Sequence, residues 1–371
     1  MLLSTPYVDH APAAEETLLR CRELVRPALR TAVDRLHPWP RRVVSYSFGW
    51  VAADGSERAA PGSGGGTGQG VRPALAVLAA EAVGGAYGSA VPGAVAVELV
   101  HASTLVHDDV ADRGEQRRGR PAAWKEFGTG PAVLSGDALL ALAVDVVSRV
   151  GGERSAQAVR LVSGALAGLV HGRSEEALFG SRPWAGPDAV RPAEYREAAL
   201  RRTGTLLGCA AALGALLAGG SAGSVEAFGT AGRRLGLALQ LAREVAGIWG
   251  PPAAGRRPDH GSLLRGARTM PVVAAAALDQ VVAGRLEKLL GGGEPLTRAR
   301  AAYAAQLVEE AGGREFAVRE ARRALESARD ALDGLALAGP AAEEIDALAE
   351  FVVERRLRDC EDAGAVRMRV L

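Results

Sequence analysis

Residues 98–112 read Glu98-Leu-Val-His101-Ala-Ser103-Thr104-Leu-Val-His107-Asp108-Asp109-Val-Ala-Asp112, the end of an apolar run that begins near residue 92. Its apolar positions cover most faces at helical spacing, as in a helix surrounded by other helices. On that helix Asp108 and Asp112 stack on one face, about 6 Å apart along the axis, with Asp109 on the adjoining face. Three clustered acids on a mostly apolar helix repel one another and raise each other's pKa. A hard divalent cation relieves this, because Mg²⁺ prefers carboxylate oxygen, retains water and bridges to phosphate oxygen. Arg117 and Arg118 follow closely, and their planar forks suit a diphosphate. An isolated Asp-x-x-Asp is more often a solvated helix end. The long apolar helix before it and the paired arginines after it turn the balance toward a metal and phosphate site.

Helical spacing continues outward from this stretch in both directions, and no run bounded like a strand interrupts it, so the chain reads as all-α. A first amphipathic helix covers about 15–36, ended by Pro38 and Pro40. A less regular segment from Ser45 to Gly70 includes a Gly-rich tract too flexible for a helix. Helices are then expected near 73–84, 92–112, 130–150, 154–180, 192–219, 223–250, 269–292, 296–312, 315–335 and 340–361. The segments 203–219 and 231–248, apolar on most faces, would be central staves, and the charged final helices an outer layer. This divides the chain into an N-terminal helix and Gly-rich segment (1–70) packed on a single helical bundle (71–371).

The 371 residues and 38.2 kDa are ample for a sizeable core. Lys plus Arg number 44 against 43 Asp plus Glu, so a net charge of +1 offers no global field for a nucleic acid, and phosphate chemistry must rely on a local cluster. With 48% hydrophobic and 23% charged residues the chain is not disordered. Cys21, Cys209 and Cys360 are odd in number and far apart, which fits neither a disulfide framework nor a zinc site and points to a reducing cytoplasm. The N-terminus lacks a secretory pattern. The stretch Thr203–Gly220 barely reaches the length of a membrane span and is read as a buried core helix.

The stretch from Glu98 through Asp112 and on to Arg117-Arg118-Gly-Arg-Pro121 resembles the first aspartate-rich motif of the trans-isoprenyl diphosphate synthases, the polyprenyl synthetase family. Gly70-Val-Arg72-Pro73, Ser135-Gly136-Asp137, Arg202-Thr203-Gly204 and Gly236-Leu-Ala-Leu-Gln240 resemble further landmarks of that family, over about Gly68 to Pro271. The resemblance implies an all-α isoprenoid synthase bundle around a central apolar cavity. It also implies Mg²⁺ (or Mn²⁺) dependence and a homodimer. The implied reaction ionises an allylic prenyl diphosphate and condenses it head to tail with isopentenyl diphosphate. By the same resemblance Asp108, Asp109 and Asp112 are metal ligands and Arg117 contacts the allylic diphosphate. Arg72, His101 and Arg118 contact isopentenyl diphosphate, while Gln240, Thr203 and Arg202 steady the allylic diphosphate or the cation. Ser103 and Thr104, small and one turn below the acids, leave the floor open for a product of C20 or longer.

The pattern breaks in two places. After Gln240, where relatives carry paired aspartates, stand Arg243 and Glu244, so two negative charges become a net of zero and a third metal loses much of its site. Gln69 stands where the family has an isopentenyl-diphosphate lysine. Removing one charged partner from such a site costs about 1.5–3 kcal/mol. Elongation with Glu244 alone on the far wall is the leading expectation. The alternatives are a class I terpene cyclase or another ionisation-dependent transferase, and a noncatalytic subunit of a heteromeric prenyl synthase. Gly219-Gly-Ser221-Ala-Gly223 matches a hydrolase elbow but sits between helices and is read as a loop. His107 is read as a hydrogen-bonded neighbour of the acids rather than a ligand, and Glu176 as either a cavity residue or a solvated one.

Overall fold

A computed structural model describes residues 11–58, 70–250, 260–292 and 296–368, with side chains described as far as residue 361; Gln69 lies outside these residues. The helices are α1 (Ala11–Asp34), α2 (Pro38–Phe48), α3 (Val71–Ala82), α4 (Val91–Ala111), α5 (Ala123–Phe127), α6 (Thr129–Ser148), α7 (Gly152–Phe179) and α8 (Pro192–Ala199). They continue with α9 (Thr205–Leu217), α10 (Ala222–Trp249), α11 (Gly261–Leu264), α12 (Met270–Leu278), α13 (Gln280–Leu290), α14 (Arg298–Glu310), α15 (Gly313–Asp330) and α16 (Gly339–Met368). The only sheet among the described residues is a hairpin of β1 (Gln116–Arg117) and β2 (Arg120–Pro121).

The apolar segments lie where their composition requires. Every residue of α9 from Leu206 to Leu217 is buried, and α10 buries Leu235, Leu237, Leu239, Leu241, Val245 and Ile248. Each such leucine contributes about 1.5–3 kcal/mol by leaving water. The two helices cross closely because the contact is made of glycine: a Cβ at Gly236 would lie 2.5 Å from the Gly204 Cα, and one at Gly204 would lie 2.6 Å from the Arg233 carbonyl oxygen. That approach brings Thr203 against Gln240, which matters for the site.

Three expectations are corrected. Pro38 and Pro40 do not merely stop the first helix; Pro38 opens α2, with the His37 ring accepting from the Trp39 N–H, because the fixed φ of proline suits the first helical turn. The helix expected over 192–219 is interrupted by a π-helical turn at Leu200–Gly204, a local widening that carries no residue signature of its own. The helix expected over 269–292 is broken at Asp279, which is extended (φ −140°, ψ 112°) and caps α13 by accepting from the Val281 and Val282 N–H groups. Ser221 proves to be the N-cap of α10, accepting from Ser224 N–H, so the Gly-Ser-Gly stretch is a helix-to-helix loop.

Among the described residues two helical stretches, Tyr87–Ala111 and Thr129–Ser148, are long and apolar enough to cross a membrane by length and composition; Thr203–Gly220 is not one of them. Tyr87–Ala111, which contains α4, has 56% of its most apolar window inside the bundle and carries the acidic cluster.

Candidate active site

The C-terminal end of α4 presents its acids to two different partners. Asp109, 7% exposed, turns toward the hairpin, where the Arg117 guanidinium forks it with Nε to Oδ2 at 2.6 Å and Nη2 to Oδ1 at 2.7 Å. The hairpin that delivers Arg117 turns through Arg118 (φ 55°) and Gly119 (φ 71°), both left-handed as a tight two-residue hairpin turn demands. A non-glycine residue there costs about 1–2 kcal/mol, strain of the kind found at binding sites. Helix α2 holds the hairpin in place. The Tyr46 hydroxyl donates to the Pro121 carbonyl at 2.8 Å, and Arg120 lies over the Tyr46 ring and donates to its carbonyl.

Asp108 and Asp112 face the other way, toward α7. Arg173 Nη2 lies 2.5 Å from Asp108 Oδ1 and 3.6 Å from Asp112 Oδ2, while its Nη1 donates to Glu176 Oε2 at 2.9 Å. Arg202, on the π-helical turn, holds the other oxygen of Glu176. Asp108, Asp112 and Glu176 thus surround one guanidinium. Burial pushes the Asp108 carboxyl up against the pull of Arg173, with Asp112 adding to the rise. Burial also acts on Glu176, but Arg202 and Arg173 outweigh it and hold that carboxyl low. Asp108, Asp112 and Glu176 are the kind of oxygen donor a divalent cation needs, but with Arg173 among them no three Asp, Glu, His or Cys side chains of the described residues are grouped closely enough to hold one.

The opposite wall does not fit one. Glu244 is 6% exposed and its oxygens are occupied: Oε1 accepts from the Tyr195 hydroxyl at 2.7 Å and from Gln240 Nε2 at 2.6 Å, and Oε2 accepts from the Met270 N–H at 2.8 Å. Thr203 completes the chain by donating to Gln240 Oε1 at 2.9 Å. Glu244 borders the cleft that Glu176 and Arg202 also line, as expected for the far wall, but its carboxylate is held by protein donors and ties α8, α10 and α12 together.

Arg72, His101, Arg118 and Arg243 converge on a cleft of about 590 Å³ that also receives Arg117, with Glu98 and Asp109 the only acids among its described lining residues. Burial lowers the pKa of His101 well below its ordinary value, and Arg72, Arg243, Arg118 and Arg117 lower it further, so the ring is neutral near pH 7. Burial, then Arg72 and Arg356, push the Arg243 guanidinium down to about 9. A second cleft of about 970 Å³ lies beside it, lined by Glu176, Arg202, Gln240 and Arg243 among others.

Ser103 is buried, and by helical register lies on the side of α4 that carries His107; neither Ser103 nor Thr104 lines either cleft. His107 Nε2 contacts the Val133 carbonyl at 3.1 Å and rests on Gly136. Sequence reasoning missed Tyr195 and the position of Arg173. The one available signal for Arg173 is its three-residue spacing from Glu176 on α7.

Comparison with known proteins identifies the family to which this fold belongs. The polyprenyl synthetase profile matches residues 64–308. A (2E,6E)-farnesyl diphosphate synthase of Mycobacterium tuberculosis is 38% identical over 337 residues, covering 90% of this chain and 91% of that one. A geranylgeranyl diphosphate synthase of the same organism is 35% identical, covering 90% and 93%. The crystal structure of a polyprenyl synthetase from Streptomyces coelicolor A3(2) superposes with a TM-score of 0.83 at 40% identity, covering 91% of this chain and 99% of that one. With the profile match over 64–308, the relatives identical at 35–38% over nine-tenths of the chain and the shared helical bundle, the chain belongs to the polyprenyl synthetase family.

Proposed function

We propose that this protein is a prenyltransferase that condenses an allylic prenyl diphosphate with isopentenyl diphosphate. The observation that supports this is the pair of clefts that share Arg243 of α10, one arginine-lined and the other bordered by Glu176, Glu244 and Arg202. The allylic diphosphate lies on the Asp108 side, where Asp108 and Asp112 with Glu176 would hold Mg²⁺ once Arg173 swings aside. Mn²⁺ is an alternative. When bound, the metal supplies charge neutralisation of the departing diphosphate.

Each of the chain's own groups then has a task. Asp109 fixes Arg117 on the wall of the arginine-lined cleft, from which it reaches the allylic diphosphate. Arg72, Arg118 and neutral His101 hold isopentenyl diphosphate, with Gln69 entering from the adjoining segment. Thr203 and Gln240, aligned by Glu244, present oxygen dipoles where positive charge develops on the allyl group, and Arg202 is the nearest cation on that side. A product of C20 or longer would need the prenyl chain to extend past Thr104 toward the small Val100 and Val97, which line neither cleft as it stands. Exposed Val133 and Leu134 on α6 and Val170 and Leu178 on α7 support a homodimer.

The test is incubation of purified protein with Mg²⁺ and each allylic diphosphate, with and without isopentenyl diphosphate, followed by mass analysis. Products longer by five carbons that need isopentenyl diphosphate support elongation. Diphosphate release with a cyclic hydrocarbon, independent of isopentenyl diphosphate, would make the protein a cyclase, and no turnover without a second protein would make it a subunit.

A further inference from the structure

The far wall poses a question the family resemblance does not answer. Glu244 borders the second cleft but already accepts three hydrogen bonds from protein donors, with Arg202 Nη2 4.0 Å from its Oε1, which leaves a carboxylate-held cation a poor ligand there. What the wall offers instead is guanidinium. Arg243 lines both clefts and makes no hydrogen bond or ion pair among the described residues. Arg72 is 7% exposed and its Nε has no partner. Arg356, from α16, acts on Arg243 as a further like charge. Glu98 is the nearby acid, pairing electrostatically with Arg72 and Arg118. Arg72 is buried and Arg243 and Arg356 are half-buried, so their mutual repulsion is poorly screened and an anion between Arg243 and Arg72 would relieve it; the fork geometry of guanidinium matches phosphate oxygens.

We propose that Arg243 is a direct diphosphate ligand in this chain, acting with Arg72, so that the far wall binds diphosphate by guanidinium in place of a carboxylate-held metal. The inference deepens the prenyl diphosphate assignment and rests on it for the identity of the natural ligand. Its anion chemistry can be tested without turnover. Arg243 stands between the two clefts, so one guanidinium can reach a diphosphate in either, which a carboxylate could do only through a metal.

The experiment is calorimetric titration of the full chain with inorganic pyrophosphate in excess EDTA. Wild type is expected to bind without metal. Arg243→Gln is expected to lose about ten- to a hundredfold in affinity, the range for one charge-assisted contact. Arg243→Lys, which keeps the charge but not the fork, should recover part of that loss. Thermal unfolding without pyrophosphate serves as the folding check: Arg243→Gln should melt at or above wild type, because repulsion from Arg72 and Arg356 is relieved. Equal pyrophosphate affinity in wild type and Arg243→Gln, or no metal-free binding by wild type, would overturn the proposal. Failure here with intact isopentenyl-dependent product formation removes the role of Arg243 alone. Retained Arg243-dependent binding without any prenyl product removes the assigned reaction and leaves the anion site.

Discussion

Replacing Tyr195 by Phe asks whether Glu244 is a structural hub or a ligand. The substitution keeps the ring, which stacks on Phe179 with centroids 6.1 Å apart, and deletes only the hydroxyl that donates to Glu244 Oε1 at 2.7 Å. A hydrogen bond to a buried charged group contributes about 1.5–3 kcal/mol. Gln240 Nε2 and the Met270 N–H remain as donors, so the carboxylate is weakened but not orphaned. For a chain of this size roughly 2 °C of Tm follows each kcal/mol, which gives a drop of about 3–6 °C. Urea unfolding should show a lower midpoint at an unchanged slope. The companion variant Glu244→Gln should be destabilised as well, and by electron paramagnetic resonance should bind the same number of Mn²⁺ ions as wild type in the presence of pyrophosphate. A Tyr195→Phe protein melting within about 1 °C of wild type, or a Glu244→Gln protein that binds one Mn²⁺ fewer, would refute the hub.

Arg173 sits among the oxygens a metal would need, so Arg173→Gln is expected to bind Mn²⁺ about five- to a hundredfold more tightly, since displacing the guanidinium costs about 1–3 kcal/mol. Weaker binding in a paramagnetic-resonance titration would show instead that Arg173 supports the site. Gly136→Ala places a Cβ 2.1 Å from His107 Nε2. Forcing that ring out of place should cost about 1–3 kcal/mol in a denaturant melt and reduce prenyl transfer, whereas full stability would contradict the packing. The Cys21 and Cys209 thiols, pushed up to about 12 by burial, and Cys360, pushed up to about 11, should all resist a disulfide reagent at pH 8 until the chain is unfolded, and a rapidly labelled thiol in the native protein would contradict their burial.

Much of the bundle was legible because burial writes itself into composition. The uninterrupted apolar content of α4, α9 and α10 forces those helices inward, and their observed bounds follow the periodicity to within a few residues. What escaped depends on single-residue geometry or on distant partners. Pro38 can end one helix or begin the next, and only its neighbours in space decide. The π-helical turn at Leu200–Gly204 that aims Arg202 at Glu176 has no sequence signature. The acidic cluster was visible as a cluster, but its division was not: Asp109 is claimed by Arg117 across a hairpin, while Asp108 and Asp112 meet Arg173 from a helix more than sixty residues away. Glu244 borders the second cleft, as its place after Gln240 suggests, but the contacts that hold it were not legible. Its actual partners, Tyr195 and the Met270 N–H, come from other helices that spacing along the chain cannot bring together.

The measurement that bears most directly on the whole account is the rate of Mg²⁺-dependent diphosphate release from an allylic substrate, with isopentenyl diphosphate present, in wild type and in the double variant Asp108→Asn, Asp112→Asn. Loss of at least about a hundredfold, with folding intact by circular dichroism, is the result predicted for carboxylates that hold the departing diphosphate through a metal. Unchanged release by the double variant would place the chemistry elsewhere in the protein.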